Sequence, residues 1–168
     1  EGEDRFAGGG VAYCAACDGM FYKDKTVAVY GGGNSAVEDA LLLSRICKKV
    51  YLIHRRDALR ATKVYQDALF GSSVELVWNS RVTAFLGDKH LTGVETEDTK
   101  TGEKRELSLD GIFVSIGRIP DTGLFEGQVD MDEAGYLIAD ETTRTNLPGV
   151  FAAGDVRTKQ LRQVITAA

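Results

Sequence analysis

Thr26-Val-Ala-Val-Tyr-Gly31-Gly32-Gly33-Asn34-Ser35-Ala36-Val37-Glu38 is the stretch on which the reading of the whole chain depends. A short apolar run ends in three glycines, and a helical pattern begins directly behind them. The spelling Gly31-x-Gly33-x-x-Ala36 is that of the strand, tight turn and helix that open a dinucleotide-binding βαβ unit. In that reading Gly31 lets the backbone leave the strand sharply. Gly33 removes a Cβ where a pyrophosphate must approach, and Ala36 keeps the helix close against the strand. The pyrophosphate would then rest on free N–H groups at the positive end of the helix.

Working outward, the helix is expected from Asn34 to about Cys47 and to be well buried, because its apolar residues lie all round it. Val50–Ile53 reads as a second, parallel strand, Thr62–Phe70 as a helix closed by Gly71, and Val74–Trp78 as a third strand. From Arg81 to Ser108 the period shortens to alternating strands with turns at Gly87-Asp88 and Thr101-Gly102, an antiparallel meander hung on the parallel sheet. Asp110-Gly111 turns the chain into Ile112–Ile116, an apolar strand returning to that sheet. Residues 1–10 read as a polar, flexible entry, and 117–168 as loops punctuated by Gly and Pro.

The 168 residues, 43% of them hydrophobic, suit one compact domain or one domain plus a piece of another. A net charge of −5 argues against a nucleic acid or a membrane surface as partner. No apolar run approaches the roughly 18 residues of a membrane span. The opening Glu1-Gly-Glu-Asp-Arg5 lacks the character of a signal peptide. Both ends read as cut: there is no initiating Met, and Lys159–Ala168 reads as a helix that stops without Gly, Asn or Pro. Three cysteines, two of them as Cys14-Ala-Ala-Cys17, suit a reducing compartment and a working thiol pair, so the expected location is cytoplasmic.

The strand at Val50–Ile53 ends in His54-Arg55-Arg56-Asp57, with Arg60 one helical step on. An NAD site usually places an acid here for the ribose hydroxyls; guanidinium forks and an imidazole suit the additional 2′-phosphate of NADP instead. Cys14 and Cys17 read as a redox disulfide in preference to half of a zinc site, since nothing supplies a second ligand pair and no metal is expected. Asp18, directly after the pair, could manage a proton for a leaving thiolate, or serve only as a turn residue before Gly19. Cys47 reads as a packed thiol on the Ala36/Ala40/Leu43 face.

Taken together, Cys14-Ala-Ala-Cys17-Asp18-Gly19, the glycine loop through Glu38, His54-Arg55-Arg56-x-x-x-Arg60, Ile116-Gly117-Arg118, Gly149–Asp155 and Arg162-Gln163 resemble the low-molecular-weight thioredoxin reductases over nearly the whole chain. The flavoprotein reductase of alkyl hydroperoxide systems shares the cysteine stretch but not this basic run. The resemblance implies an α/β fold: a Rossmann-like, three-layer NADPH domain over 1–116, with a parallel sheet, an antiparallel meander and the redox cysteines. A fragment of an FAD-binding Rossmann-like domain would follow over 117–168. It also implies electron flow from NADPH through FAD to the dithiol and on to thioredoxin or a similar protein, in a complete enzyme that is a homodimer. On the family's pattern Cys17 would face the flavin and Cys14 would exchange with thioredoxin, with Asp18 as proton donor and acceptor. Gly31, Gly33, Asn34, Ser35, Ala36 and Glu38 would belong to the cofactor loop, and Ile116, Gly117 and Arg118 would border NADPH. Gly154 and Asp155 would meet the flavin's polyol chain, with Arg162, Gln163 and Val164 near its ring. The first half of the FAD domain has no counterpart in this sequence, so FAD is expected not to be retained. A non-catalytic NADP(H)-binding module and a flavoprotein disulfide reductase serving another partner stay open as alternatives.

Overall fold

Val27 and Val29 face one side of the strand Thr26–Gly31, Ala28 faces the other, and all three are fully buried. A strand covered on both faces requires three layers, and the chain builds them. The computed structural model describes residues 2–160, 162 and 167. Five strands, β1 (Val11–Ala12), β2 (Thr26–Gly31), β3 (Lys49–Ile53), β4 (Glu75–Val77) and β8 (Gly111–Ser115), form a parallel sheet in the order β1-β8-β2-β3-β4. Between β4 and β8 the chain makes β5 (Ser80–Gly87), β6 (Leu91–Asp98) and β7 (Lys104–Ser108), a separate antiparallel meander.

The helices cover one face of the parallel sheet. After the one-turn α1 (Ala15–Asp18) comes α2 (Asn34–Leu43), which buries Ala36, Val37, Ala40 and Leu43 against Val27, Val29, Leu52 and Phe113; α3 (Lys63–Phe70) adds Leu69. The opposite face, carrying Ala28, Ile53 and Ile112, packs on Leu91 and Val94 of the meander. The arrangement is that of a Rossmann-like dinucleotide domain with an added antiparallel layer.

Two expectations are corrected. α2 ends at Leu43, not near Cys47: Ser44 donates its hydroxyl to the Leu41 carbonyl at 2.8 Å, and the chain leaves through a turn. Cys47 follows that turn as a half-buried thiol against the helical-side core, where burial pushes its pKa up. The first ten residues are also no loose entry. Phe6 is 1% exposed in the meander-side core, and Gly10, at φ +136°, approaches Leu91 so closely that a Cβ there would overlap its side chain. This segment delivers β1, which the apolar pattern was too short to announce.

The chain divides into two compact units, Glu1–Gly117 and Arg118–Ala168. The second has a small core of Val129, Leu137, Ala139 and Ala152. Its described residues pair through isolated bridges, Leu137 with both Met131 and Arg157, and Arg144 with Phe151. The helix expected over 159–168 falls mainly outside the described residues.

Candidate functional site

Parallel strands end on one side of a sheet, and four strand ends here carry the residues singled out in the sequence. Cys14 lies just past β1, Gly31–Gly33 at the end of β2, His54 directly after β3, and Ile116-Gly117 after β8. In open α/β sheets, ligands bind outside this carboxyl edge.

The three glycines of the turn are needed for different reasons. Gly31 is not in a left-handed conformation. A Cβ there would overlap the Ser115 carbonyl and lie 2.7 Å from the Ala36 methyl, so it is required for close strand and helix packing rather than for a sharp turn. A Cβ at Gly32 would overlap the imidazole of His54, whereas one at Gly33 would meet nothing within 4 Å. Gly33 is the extended N-cap of α2, and its carbonyl accepts Val37 N–H at 3.2 Å. It thus leaves open space in front of the unpaired N–H groups of the first helical turn. Asn34, Ser35 and Glu38 are exposed, while Ala36 is fully buried. Gly32→Ala is expected to lower unfolding free energy by about 1–3 kcal/mol through overpacking, and Gly33→Ala to change it by less than about 0.5 kcal/mol. Urea titration of the two variants checks this.

The basic loop is hung on that turn. Arg60 N–H donates to the Gly32 carbonyl and Thr62 N–H to Asn34 Oδ1, both at 2.8 Å. His54 does not point to solvent: it is 6% exposed, donates Nε2–H to the Ala58 carbonyl at 3.1 Å, and meets Trp78 edge-on. Desolvation holds its pKa below the usual 6.5, assisted by Arg56 and Arg55, while the Ala58 and Gly31 backbones act the other way. The ring is thus packed beneath the arginine loop and is not displayed on the surface as the arginines are. Arg55, Arg56 and Arg60 are exposed, and among the described residues none makes a side-chain hydrogen bond or ion pair. A histidine kept neutral by folding contributes stability above its unfolded pKa, and that contribution is lost as pH falls from about 6.5 toward the lowered folded value. Melting temperature should drop between pH 7.5 and 5.5, and His54→Asn should flatten that dependence. An equally steep profile in the variant would assign the drop to other groups.

At the end of β1, Cys14 caps α1, and its Sγ accepts Cys17 N–H at 3.2 Å. Cys14 and Cys17 are joined by a disulfide, with Cα atoms 5.3 Å apart. Cys14 is half-buried and Cys17 exposed; Ala15 anchors the turn in the core. Asp18 is half-buried; its N–H donates to the Cys14 carbonyl at 3.0 Å, and its carboxylate makes no hydrogen bond or ion pair among the described residues. Directly behind, Met20 is 67% and Phe21 75% exposed, an apolar pair beside the disulfide that the sequence reading did not single out.

In the second unit, Gly154 adopts φ +82° and starts a single 3-10 turn, Gly154–Val156. Asp155 Oδ1 is buried and accepts no hydrogen bond among the described residues, with Lys159 Nζ at ion-pair distance, 3.5 Å. Arg162 donates Nε–H to the Asp155 carbonyl at 3.3 Å and lays its guanidinium over the Tyr136 ring at 3.7 Å. With Arg118 and Pro120 these residues border a groove of about 330 Å³. Gly117, at φ +109°, ends the first unit after an exposed Ile116. Gln163 and Val164 lie outside the described residues.

The model of the pyridine nucleotide-disulphide oxidoreductases matches residues 1–168. The chain belongs to that family. A thioredoxin reductase of Streptomyces clavuligerus is 52% identical over 99% of the chain, and one of Listeria monocytogenes is 46% identical over the same share. The chain spans about half the length of these relatives, 52% and 53%. Among solved structures, thioredoxin reductase of Streptococcus pyogenes is 42% identical, with a TM-score of 0.88 over 98% of this chain and 55% of that one. The Lactococcus lactis thioredoxin reductase, also 42% identical, aligns with a TM-score of 0.79 over 99% of this chain and 55% of that one.

Within this family member, folding brings the disulfide, glycine turn and arginine loop to one sheet edge, while Asp155 and Arg162 meet in the other unit. No helix among the described residues is long and apolar enough to cross a membrane. Nor does any group of three or more His, Cys, Asp or Glu among them form a candidate metal site.

Proposed function

We propose that this chain is the NADPH-binding and dithiol-bearing part of a flavoprotein that reduces the disulfide of thioredoxin or a thioredoxin-like protein. The observation that carries this reading is a Cys14–Cys17 disulfide, a glycine turn at a helix start and three guanidiniums unpaired among the described residues, all on one carboxyl edge of the sheet. Gly33 and the start of α2 would hold the pyrophosphate. Arg55, Arg56 and Arg60 would hold the 2′-phosphate, with His54 fixing their loop.

Once the pair is reduced, the Cys17 N–H aimed at Cys14 Sγ favours negative charge on that sulfur, since the thiolate is the stronger acceptor. A Cys14 thiolate attacks the partner disulfide and releases one partner thiolate. Cys17 then attacks the mixed disulfide, re-forming Cys14–Cys17 and releasing the second, so two electrons leave with the partner. Asp18, the residue after Cys17, would move the protons of this exchange. Exposed Met20 and Phe21 favour a protein partner, because an apolar surface beside the sulfurs suits a docking face more than a small polar disulfide. The Asp155 oxygen, buried with no hydrogen bond among the described residues though near Lys159 Nζ, fits a hydroxyl of the FAD polyol chain, and Gly154 leaves room for it. FAD, when bound, supplies the conversion of a hydride into electrons that a disulfide can accept.

The test is a chimera in which this chain replaces the matching segment of the Streptomyces clavuligerus relative. NADPH-dependent reduction of thioredoxin by the chimera, lost in Cys14→Ser, is the expected result. A folded, flavin-loaded chimera unable to reduce any protein disulfide would overturn the proposal.

A further inference from the structure

The arginine loop is held from a distance. The Arg55 carbonyl accepts the Thr99 hydroxyl at 3.0 Å, and the Arg56 carbonyl accepts Asn79 N–H at 3.2 Å. Asn79 is left-handed at φ +48°, and its own carbonyl accepts Thr99 N–H at 2.6 Å. Thr99 is thus bonded both to the arginine loop and to the β4–β5 connection that supports it. Next to it, Lys100 Nζ lies 2.7 Å from Asp57 Oδ2. Asp57 is the single acid among residues 54–60 and stands directly after the arginine pair.

The turn making these contacts is built independently of them. Asp98 Oδ1 accepts Lys100 N–H at 2.8 Å and Thr101 N–H at 2.9 Å, and Gly102 closes the turn at φ +74°. Thr99 is exposed, and Lys100 and Asp57 have side chains 60% and 67% exposed, where an ion pair adds little to stability. Neither contact is needed to fold the meander. What they fix is where two arginine backbones sit and whether a carboxylate beside them is masked.

We propose that the β6–β7 turn, through Thr99 and Lys100, is a specificity-determining element that makes the arginine loop prefer NADPH over NADH. Thr99 and Lys100 are positioning residues: one pins the Arg55 carbonyl, and the other neutralises a charge that would repel a 2′-phosphate and compete for its guanidiniums. The inference rests on the proposed NADPH site.

The test is equilibrium titration of the 168-residue chain with NADPH and with NADH. Thr99→Val should weaken NADPH roughly 3- to 10-fold while leaving NADH within about twofold, and Thr99→Ser should restore the preference. Lys100→Ala should shift it in the same direction, and adding Asp57→Asn should recover it. A Lys100→Ala/Asp57→Asn chain still weak for NADPH would overturn the masking role, since Lys100 would then touch the phosphate itself. Unchanged or equally weakened binding of both dinucleotides in Thr99→Val would overturn the pinning role. Arg55→Ala/Arg56→Ala is the reference. If it discriminates and Thr99→Val does not, only this inference fails; if it weakens both dinucleotides alike, the NADPH assignment fails and this inference with it.

Discussion

Arg55→Ala/Arg56→Ala should bind NADPH roughly 100- to 1,000-fold more weakly, a loss of about 3–4 kcal/mol for two charge-assisted contacts at about 1.5–3 kcal/mol each. NADH should be almost unaffected. The asymmetry follows from the geometry: both guanidiniums are exposed and without side-chain partners among the described residues, so removing them takes little from the fold. The pyrophosphate, by contrast, would rest on backbone N–H groups that the substitution does not touch. The loss should shrink as salt rises, because exposed charges are screened. Equal weakening toward both dinucleotides would show that these arginines do not read the 2′-phosphate.

The second large effect concerns the disulfide. Dithiothreitol should release two thiols from Cys14–Cys17, and Cys14→Ser should abolish that difference between oxidised and reduced chain. NADPH alone should release none above background, since a hydride donor does not reduce a disulfide at a useful rate without a relay such as flavin. Half-buried Cys47 should titrate slowly and identically in both states, because burial raises its pKa and keeps it a thiol. Steady NADPH-driven thiol release by a flavin-free chain would contradict this division of labour.

Much of this was legible in the sequence because the informative signals were local. The strand, glycines and helix of 26–43 are contiguous, the cysteines are three residues apart, and the meander declares itself by its turns. What escaped was non-local. The burial of the His54 ring could not be read from its neighbours in sequence, because the space for it is left by the missing Cβ of Gly32, 22 residues back. Gly31 was credited with a turn when the Ser115 carbonyl, on a strand that arrives much later, requires it. The Thr99 clamp on Arg55 spans 44 residues and leaves no pattern in either segment. Phe6 was lost in a polar, Gly-rich stretch because a single aromatic has no period.

The most direct test of the central claim is a thiol count in a single exchange. The chain, reduced with dithiothreitol and freed of it, is mixed with oxidised thioredoxin, and the thiols on each protein are counted. The expected result is two thiols gained by thioredoxin for every two lost from Cys14 and Cys17, with no transfer from Cys14→Ser. Full retention of both thiols by a folded chain in the presence of excess oxidised thioredoxin would contradict the account.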